Sequence, residues 1–306
     1  MKSPPSPAPA VDAPFVDSPA RGILCMVLGT LLLTSNDAIS KWLLQTLHPG
    51  DVMAWRGLFS LPFIMVILKA EGARFSDLKS RAPARSGLRA LLALVTSVLV
   101  IVSFQVLPLA DALAVIFVSP LMVTALSAII LKEPVGWRRW TATVVGFAGA
   151  LVIVGPSFGE IGWWVLAPLG AATSAALRDI VTRPLGRIDA GPSILFWTML
   201  TATVGGFLSL PVLGATPLDD TTIALLVGAA AMLSLSNRLT IAAFKLASGA
   251  VVAPLKYLAL IWAAGIGYAV WGETPAVQKV VGAAIVAAAG LYIWRREIVL
   301  QRERKA

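Results

Sequence analysis

Apolar residues fall into long uninterrupted runs along this chain, unlike the alternating pattern of a strand or the one-sided stripe of a soluble helix. Ten runs of about 18 to 24 residues follow one another, and each is long enough to cross about 30 Å of hydrocarbon as a helix. The pattern predicts an all-α integral membrane protein with ten transmembrane helices, referred to as segments 1 to 10 in chain order: 22–44, 53–70, 88–108, 110–131, 138–155, 162–182, 192–213, 222–243, 249–271 and 276–294.

The composition agrees with this expectation and argues against several kinds of site. The 306 residues are 58% hydrophobic and only 13% charged, whereas soluble proteins carry about 25% charged residues. Cys25 and His48 are the only residues of their types, which leaves no intrachain disulfide, no Cys-x-x-Cys site and little basis for a zinc site or a histidine triad. We therefore expect no cofactor and no metal.

The distribution of positive charge predicts the orientation in the membrane. A net charge of +9 would suggest a nucleic-acid partner in a soluble protein. Here Lys and Arg occupy the loops after segments 2, 4, 6 and 8 and the C-terminal tail, and they are absent from the alternate loops: 45–52, 156–161, 214–221 and 272–275. Because cytoplasmic loops carry excess Lys and Arg, we predict a multi-pass protein of a bacterial inner membrane with both termini cytoplasmic. Membrane lipids, and no nucleic acid, are its expected surroundings.

Two charged pairs recur at the same spacing in the two halves of the chain. Asp37 and Lys41 are four residues apart, as are Asp179 and Arg183, and the two pairs are 142 positions apart. Residues four apart share a helix face, so each pair is predicted to neutralise itself. The repetition predicts two copies of a five-helix unit, and because five is odd the second copy enters from the opposite side.

The chain is therefore predicted to be a 5+5 inverted repeat with short tails. The expected divisions are a disordered cytoplasmic tail at 1–20, a first five-helix repeat at 21–157, a second at 158–296 and a basic cytoplasmic tail at 297–306. The first tail is rich in Pro and Ala and lacks the apolar core of a signal peptide.

The ends of the two halves resemble the paired signature of the EamA branch of the drug/metabolite transporter superfamily. The stretches that carry this resemblance are LKEP at 131–134 with Gly146 and Gly149, and GETP at 272–275 with Gly282 and Gly290. The stretches VAPLKY at 252–257 and GLYIWRRE at 290–297 are similar to the subgroup that contains S-adenosylmethionine and riboflavin transporters. The resemblance implies a central cavity lined mainly by segments 1, 3, 4, 6, 8 and 9, open to one side at a time.

The charged pairs are the first candidates for a functional site, because charges inside a membrane segment are costly. Asp37 and Asp179 are predicted to form gates or to contact substrate, and the alternative is that each pair only pins its helix in the bundle. For Lys41 and Arg183 the anchoring role is favoured, since long basic side chains reach the interfaces.

Further basic residues lie inside predicted segments without a carboxylate at helical spacing. Arg238, beside Asn237 in segment 8, and Lys256 in segment 9 each need a partner from elsewhere. That partner is either an anionic group of a substrate or a carboxylate of another helix, and Arg178 joins the same group. Arg56 and Lys279 lie near outer segment ends and are predicted to reach the interface or to form structural pairs.

Aromatic residues and helix breakers complete the set of candidates. Phe104, Phe117, Tyr257 and Trp262 are positioned to stack a planar substrate, although packing is the commoner role of such residues. Pro120 in segment 4 and Pro254 in segment 9 each remove a backbone hydrogen bond, so both segments are expected to bend and to line the substrate path. Two glutamates, Glu133 and Glu273, are each predicted to cap the helix that follows. Four glycines are predicted to allow close helix contact within a scaffold or a homodimer: Gly146, Gly149, Gly282 and Gly290.

The hypothesis that covers all these features is a secondary transporter for a small organic metabolite of the amino-acid, nucleoside or vitamin type, and not an enzyme. The chain has no nucleotide-binding loop, so uniport, exchange and proton coupling through Asp37 or Asp179 remain open. The alternative is a membrane enzyme acting on a lipid-linked substrate, which would place catalytic carboxylates or histidines together at one interface. A receptor or structural protein gives no reason for repeated buried charges.

Overall fold

The structure is a computed structural model that describes residues 19–70, 72, 78–130, 136–185, 188–189, 191–247, 252 and 254–303. These residues form helices and connecting turns, with no strand among them. We number the α-helices in chain order, and two short 3-10 helices, Gly162–Leu166 and Pro254–Tyr257, precede α7 and α10: α1 (Pro19–Leu43), α2 (Pro49–Ala70), α3 (Pro83–Val106), α4 (Leu109–Ile116), α5 (Ser119–Ile130), α6 (Trp137–Ile161), α7 (Ala167–Leu185), α8 (Gly191–Leu213), α9 (Asp220–Leu246), α10 (Leu258–Trp271) and α11 (Val277–Glu303).

The prediction of an all-α membrane protein is confirmed. Seven described spans are long and apolar enough to cross a membrane, and two shorter apolar helices lie at predicted segments 5 and 9. Predicted segment 6 is α7, in which charged residues interrupt the apolar run. At the C-terminus, α11 runs nine residues past the predicted end of segment 10, because 295–303 contains no helix-breaking residue. Of the predicted N-terminal tail, only its last two residues belong to the described part of the chain.

The two prolines interrupt their segments, as expected. Segment 4 divides into α4 and α5 around Phe117 and Val118, and Pro120 lies in the first turn of α5, where its missing N–H is tolerated. In segment 9, the residues described from Pro254 onward form a tight 3-10 turn and continue as α10.

The most extensive helix contacts join the first half of the chain to the second. They pair α1 with α9, α2 with α8, α3 with α7 and α6 with α11. The largest buried apolar cluster gathers residues of α3 to α6, α10 and α11, among them Phe104, Leu121 and Val286. Neither half is thus a separately packed body, and residues distant in sequence are brought together across the interface.

Glycines permit the closest of these contacts. A Cβ on Gly206 of α8 would lie 2.7 Å from Cα of Ala54 on α2, and one on Gly282 of α11 would lie 2.7 Å from the carbonyl oxygen of Gly149 on α6. Both distances are far inside van der Waals contact, so only glycine lets these backbones approach. The predicted close helix contact at Gly149 and Gly282 is confirmed, whereas a homodimer stays a prediction.

Asp189 joins the connection between α2 and α3 to the connection between α7 and α8. Its side chain is 7% exposed and accepts hydrogen bonds from Ser80 Oγ and, at 2.8 Å, from the backbone amide of Arg81. Trp197 Nε1 and Ser193 Oγ both donate to Leu78 O at 2.9 Å beside it. The connection between α2 and α3 is thereby held against the start of α8.

We expect Asp189→Ala to lower the free energy of unfolding in detergent by about 1–3 kcal/mol, because it removes the acceptor of two hydrogen bonds, each of which contributes about 0.5–1.5 kcal/mol. Equilibrium denaturation measures the change. Asp220→Ala, which removes an exposed carboxylate in the first turn of α9, is the matched control. An equal loss in the two variants would contradict the contribution of the Asp189 bonds.

Candidate functional site

Asp37 lies in the half of α1 that is predicted to be extracellular; this end of the bundle is called outer and the opposite end inner. Asn36 Nδ2 donates to Asp37 Oδ1 at 3.0 Å, and the positive charge of Arg56 attracts the carboxylate. Arg56 Nη1 donates to Ser40 Oγ at 2.8 Å, which orients the guanidinium one helical turn above Asn36. Arg56 is thus held on α1 through Ser40, and its charge acts on the Asp37 carboxylate.

The predicted neutralisation of Asp37 by Lys41 is wrong. Lys41 Nζ lies 2.6 Å from Glu273 Oε1 and 3.0 Å from Leu107 O, and it stands 5.0 Å above the ring of Trp271. Within α1, helical spacing would give Lys41 a single partner, the carboxylate of Asp37. The tertiary fold instead gives Lys41 a carboxylate, a carbonyl and an aromatic face together. Lys41 therefore links the two halves of the chain.

Glu273 caps a helix, but not the one that follows it. Its Oε2 accepts a hydrogen bond of 3.1 Å from the backbone amide of Leu109, the first residue of α4. The turn after α10 explains this direction, because Gly272 adopts the left-handed conformation with φ 67° and the amide of Glu273 bonds back to Gly267 O at 3.1 Å. The side chain is consequently directed at α4, whose N-terminal amides favour a carboxylate. Glu133, the second predicted cap, lies outside the described residues.

A second ion pair crosses the same outer region. Asp111 of α4 accepts from Lys279 of α11 at 2.6 Å, so the prediction of a structural pair for Lys279 is confirmed. Sequence reasoning missed Asp111 as its partner. The signal was available, since Asp111 is a carboxylate inside an apolar run and such a group needs a nearby cation.

The inner end of the bundle carries a different group of charges, on α3, α7 and the second 3-10 helix. Arg178 Nη2 lies 3.0 Å from Asp179 Oδ1, and the charge of Asp179 also acts on Arg89 and Lys256. Of the predicted Asp179–Arg183 pair, the Arg183 side chain lies outside the described part of the structure. Three cations thus share one described carboxylate.

Arg89 was not singled out by the sequence analysis, and it is the second residue of predicted segment 3. Its Nε donates to Thr182 Oγ1 at 2.9 Å, and its Nη1 donates to Thr198 Oγ1. These bonds fix the guanidinium between α3, α7 and α8. The observed helix begins at Pro83, before the apolar run, so the sequence contained no signal that Arg89 lies inside it.

Two of the predicted basic residues, Lys256 and Arg238, are exposed. Lys256 is exposed and stands 5.2 Å above the ring of Phe244. Arg238 is exposed on α9 and has no ion-pair or hydrogen-bond partner among the described residues. Its neighbour Asn237 donates to Leu233 O at 3.0 Å, within its own helix.

The four aromatic candidates do not form a single stacking surface. Phe117 and Tyr257 lie with ring centroids 5.3 Å apart, whereas Trp262 Nε1 donates to Thr30 Oγ1 at 3.3 Å on the opposite side of α10. Phe104 is only 2% exposed and belongs to the packed core. In this conformation Phe117 and Tyr257 are the pair that the structure brings together.

A cavity of about 540 Å³ lies between α4, the 3-10 helix before α10, α10 and α11. Its walls are apolar except for Tyr257 and for the ion pair of Asp111 and Lys279. No group of acidic, histidine and cysteine residues able to hold a metal ion is found among the residues that the structure describes. The arrangement therefore offers charge, hydrogen bonds and aromatic surface for binding a solute.

Comparison with known proteins gives consistent matches over nearly the whole chain. The EamA-like transporter family model matches residues 20–155. A riboflavin transporter of Rhizobium johnstonii is 29% identical over 93% of each chain, and an S-adenosylmethionine uptake transporter of Rickettsia prowazekii is 31% identical over 89% of this chain and 92% of its own. A pseudopaline exporter of Pseudomonas aeruginosa is 24% identical over 90% of this chain and 96% of its own.

A solved crystal structure shares the fold with a TM-score of 0.61 at 16% identity, and the match covers 94% of this chain and all of the other. The matched proteins with a printed function are transporters, and the alternative of a lipid-acting enzyme finds no support among them. The identity and coverage of the rickettsial relative, together with the family match, show that the chain belongs to the EamA-like transporter family and is a transporter of small metabolites.

Proposed function

We propose that the protein is a secondary transporter that moves a small organic solute across the bacterial inner membrane by alternating access, with both termini in the cytoplasm. The observation that carries this proposal is the difference between the two ends of the bundle. At the outer end two ion pairs, Lys41–Glu273 and Asp111–Lys279, join the halves. At the inner end Asp179 is 51% exposed; it pairs with Arg178, and its charge acts on Arg89 and Lys256. A solute entering from the inner side meets accessible charge, as in one state of an alternating cycle.

The proposed 5+5 inverted repeat is supported by the helix pairing. In such a repeat α1 corresponds to α7, and α3 corresponds to α9. If the two halves are exchanged, the contact of α1 with α9 becomes the contact of α7 with α3, which is also observed. The same exchange returns the contact of α2 with α8, and that of α6 with α11, to itself. A packing pattern that is unchanged by this exchange is expected of two equivalent halves related by a two-fold axis in the membrane plane.

The proposed solute carries an anionic group and hydrogen-bond donors, and it has a planar part. Arg89, Arg178 and Lys256 outnumber the described carboxylate beside them, which favours an anion at the inner end. At the outer site Asn36 Oδ1 is buried without a hydrogen-bond partner among the described residues, so a donor group of the solute would satisfy it beside Asp37. Phe117 and Tyr257 supply an aromatic surface.

The relatives give three solutes with which to begin. Their printed names cover uptake of S-adenosylmethionine, transport of riboflavin and export of pseudopaline, so the direction of net transport is left to experiment. Proton coupling through Asp37 or Asp179 is one of the mechanisms to be tested, with exchange and uniport as the others.

Uptake into proteoliposomes tests the proposal. We expect saturable flux of at least one radiolabelled compound from a panel of flavins, S-adenosylmethionine, amino acids and nucleotides, and none into protein-free liposomes. The same compound should raise the thermal stability of the detergent-solubilised protein in a concentration-dependent way, because a ligand that binds only the folded state stabilises it. Absence of both flux and stabilisation across the panel would contradict the proposed solute class.

A further inference from the structure

We propose that Lys41, Glu273, Asp111 and Lys279 form an outer lock, which holds the extracellular end of the bundle closed and must break during each transport cycle. This inference rests on the proposed alternating access. It assigns the closed outer state to two ion pairs, each of which takes one residue from each half of the chain.

The four residues surround one point of the outer surface, where α1, α4, the turn after α10 and α11 meet. Lys41 bonds to Glu273, and Glu273 in turn accepts the amide of Leu109 at the start of α4. Asp111 is two residues further along α4 and bonds to Lys279. The helix α4 is therefore held twice by the second half, once through its N-terminus and once through a side chain.

Burial separates this cluster from ordinary surface ion pairs. The side chains of Lys41 and Glu273 are 12% and 21% exposed, and those of Asp111 and Lys279 are 5% and 17% exposed. Exposed pairs contribute little, whereas breaking a buried pair by removal of one partner is strongly unfavourable. The two buried pairs therefore stabilise the closed outer end relative to a state in which they are separated.

The closed arrangement also contains elements that favour its release. Trp271 Nε1 is buried without a hydrogen-bond partner among the described residues, although the ring of the same residue lies beneath Lys41. A cavity of about 110 Å³ lies directly behind the lock, lined by Ala263, Asp111 and Glu273 among others. Separation of the pairs would admit water to this space, where it can hydrate the released side chains of Asp111, Glu273 and Lys279, and this hydration offsets part of the cost of opening.

The division of segment 4 allows the lock to act on one part of the bundle. α4 ends at Ile116, and α5 begins at Ser119 beside Pro120, so the backbone bonds of the two helices are not continuous. All the locked residues of this segment lie on α4. Release of the lock can therefore displace α4 while α5 keeps its contacts with α6 and α7.

Thiol labelling from outside tests the lock independently of transport. Cys25 is the only cysteine, so Cys25→Ser provides a background for single reporters. Ala263→Cys, at a fully buried position behind the lock, reports opening, and Ala215→Cys, on the exposed outer loop before α9, reports reagent access. The reagent is a membrane-impermeant maleimide added to right-side-out membrane vesicles.

We expect Lys41→Met and Glu273→Gln each to increase the labelling rate of Ala263→Cys roughly tenfold or more, since loss of about 1.4 kcal/mol shifts an equilibrium tenfold. The double variant should label no faster than the faster single variant, because either substitution already removes the pair. Asp220→Asn, at an exposed outer carboxylate, should leave the rate unchanged. Ala215→Cys should be labelled equally in all variants.

Unchanged labelling of Ala263→Cys in both lock variants, or an equal increase in Asp220→Asn, would overturn the lock. Glu273→Gln keeps the side-chain shape and an acceptor for Leu109, so it provides the measurement if Lys41→Met does not fold. Solute flux in the same vesicles separates the two proposals. Increased labelling without flux would support the lock and contradict the proposed transport cycle. Flux with unchanged labelling would support the transport cycle and contradict the lock.

Discussion

Asp37→Asn is expected to reduce the initial rate of solute flux into proteoliposomes by roughly tenfold or more. The substitution keeps the size of the side chain but removes the negative charge that acts on Arg56, and it replaces one carboxylate oxygen with an NH2 group. A hydrogen bond to a charged group contributes about 1.5–3 kcal/mol, and 1.4 kcal/mol corresponds to a factor of ten. Asp179→Asn should have a comparable effect, because it removes the carboxylate shared by Arg89, Arg178 and Lys256.

Two further variants distinguish an effect on transport from an effect on folding. Asp51→Asn is the matched control, because Asp51 is fully buried on α2 but its Oδ2 binds the backbone amide of Thr216 at 3.2 Å. This variant should retain flux. Asp37→Glu should recover part of the rate by restoring the charge, and gel filtration checks that each variant is folded. Wild-type flux in folded Asp37→Asn and Asp179→Asn would remove both residues from the proposed site.

Gly206→Ala is expected to lower the free energy of unfolding by about 1–3 kcal/mol, or to prevent folding altogether. The added Cβ would overlap backbone atoms of Ala54, so α2 and α8 would have to separate along one of the most extensive helix contacts. Backbone atoms cannot rotate away as a flexible side chain can. Thermal or chemical unfolding in detergent, with expression yield as a second readout, measures the effect.

The same substitution elsewhere provides the control. A Cβ on Gly228 of α9 would meet nothing within 4 Å, and alanine in a helix interior is favoured over glycine by roughly 0.5–1 kcal/mol. Gly228→Ala should therefore be neutral or stabilising. If Gly206→Ala were equally well tolerated, the close approach of α2 and α8 could not be the reason for glycine at residue 206.

The helices could be predicted from the sequence because their length and apolar character are local properties. A run of apolar residues long enough to span the hydrocarbon predicts a helix whatever the rest of the chain does, and Pro120 and Pro254 interrupt their helices by removing their own N–H groups. The boundaries were less predictable where polar helix formers continue past the membrane, as at 295–303.

The ion pairs could not be predicted in the same way. The spacing of Asp37 and Lys41 gave a local partner, but Lys41 binds a carboxylate 232 residues away. The spacing rule describes an isolated helix, and it fails where tertiary packing brings a carboxylate, a carbonyl and an aromatic ring to the cation. Asp111 and Arg89 were missed because their partners are on other helices. For Glu273 the capping chemistry was predicted correctly, whereas the choice of helix depends on the turn at Gly272.

The bond from Glu273 to the first amide of α4 also bears on how the chain is made. Synthesis proceeds from the N-terminus, so α4 enters the membrane long before residue 273 has left the ribosome. Until then the start of α4 lacks its carboxylate acceptor, and Asp111 lacks Lys279. The outer end of the first half can thus reach its final packing only after translation is nearly complete, and a chain that lacks the last two helices leaves α4 without both of these partners.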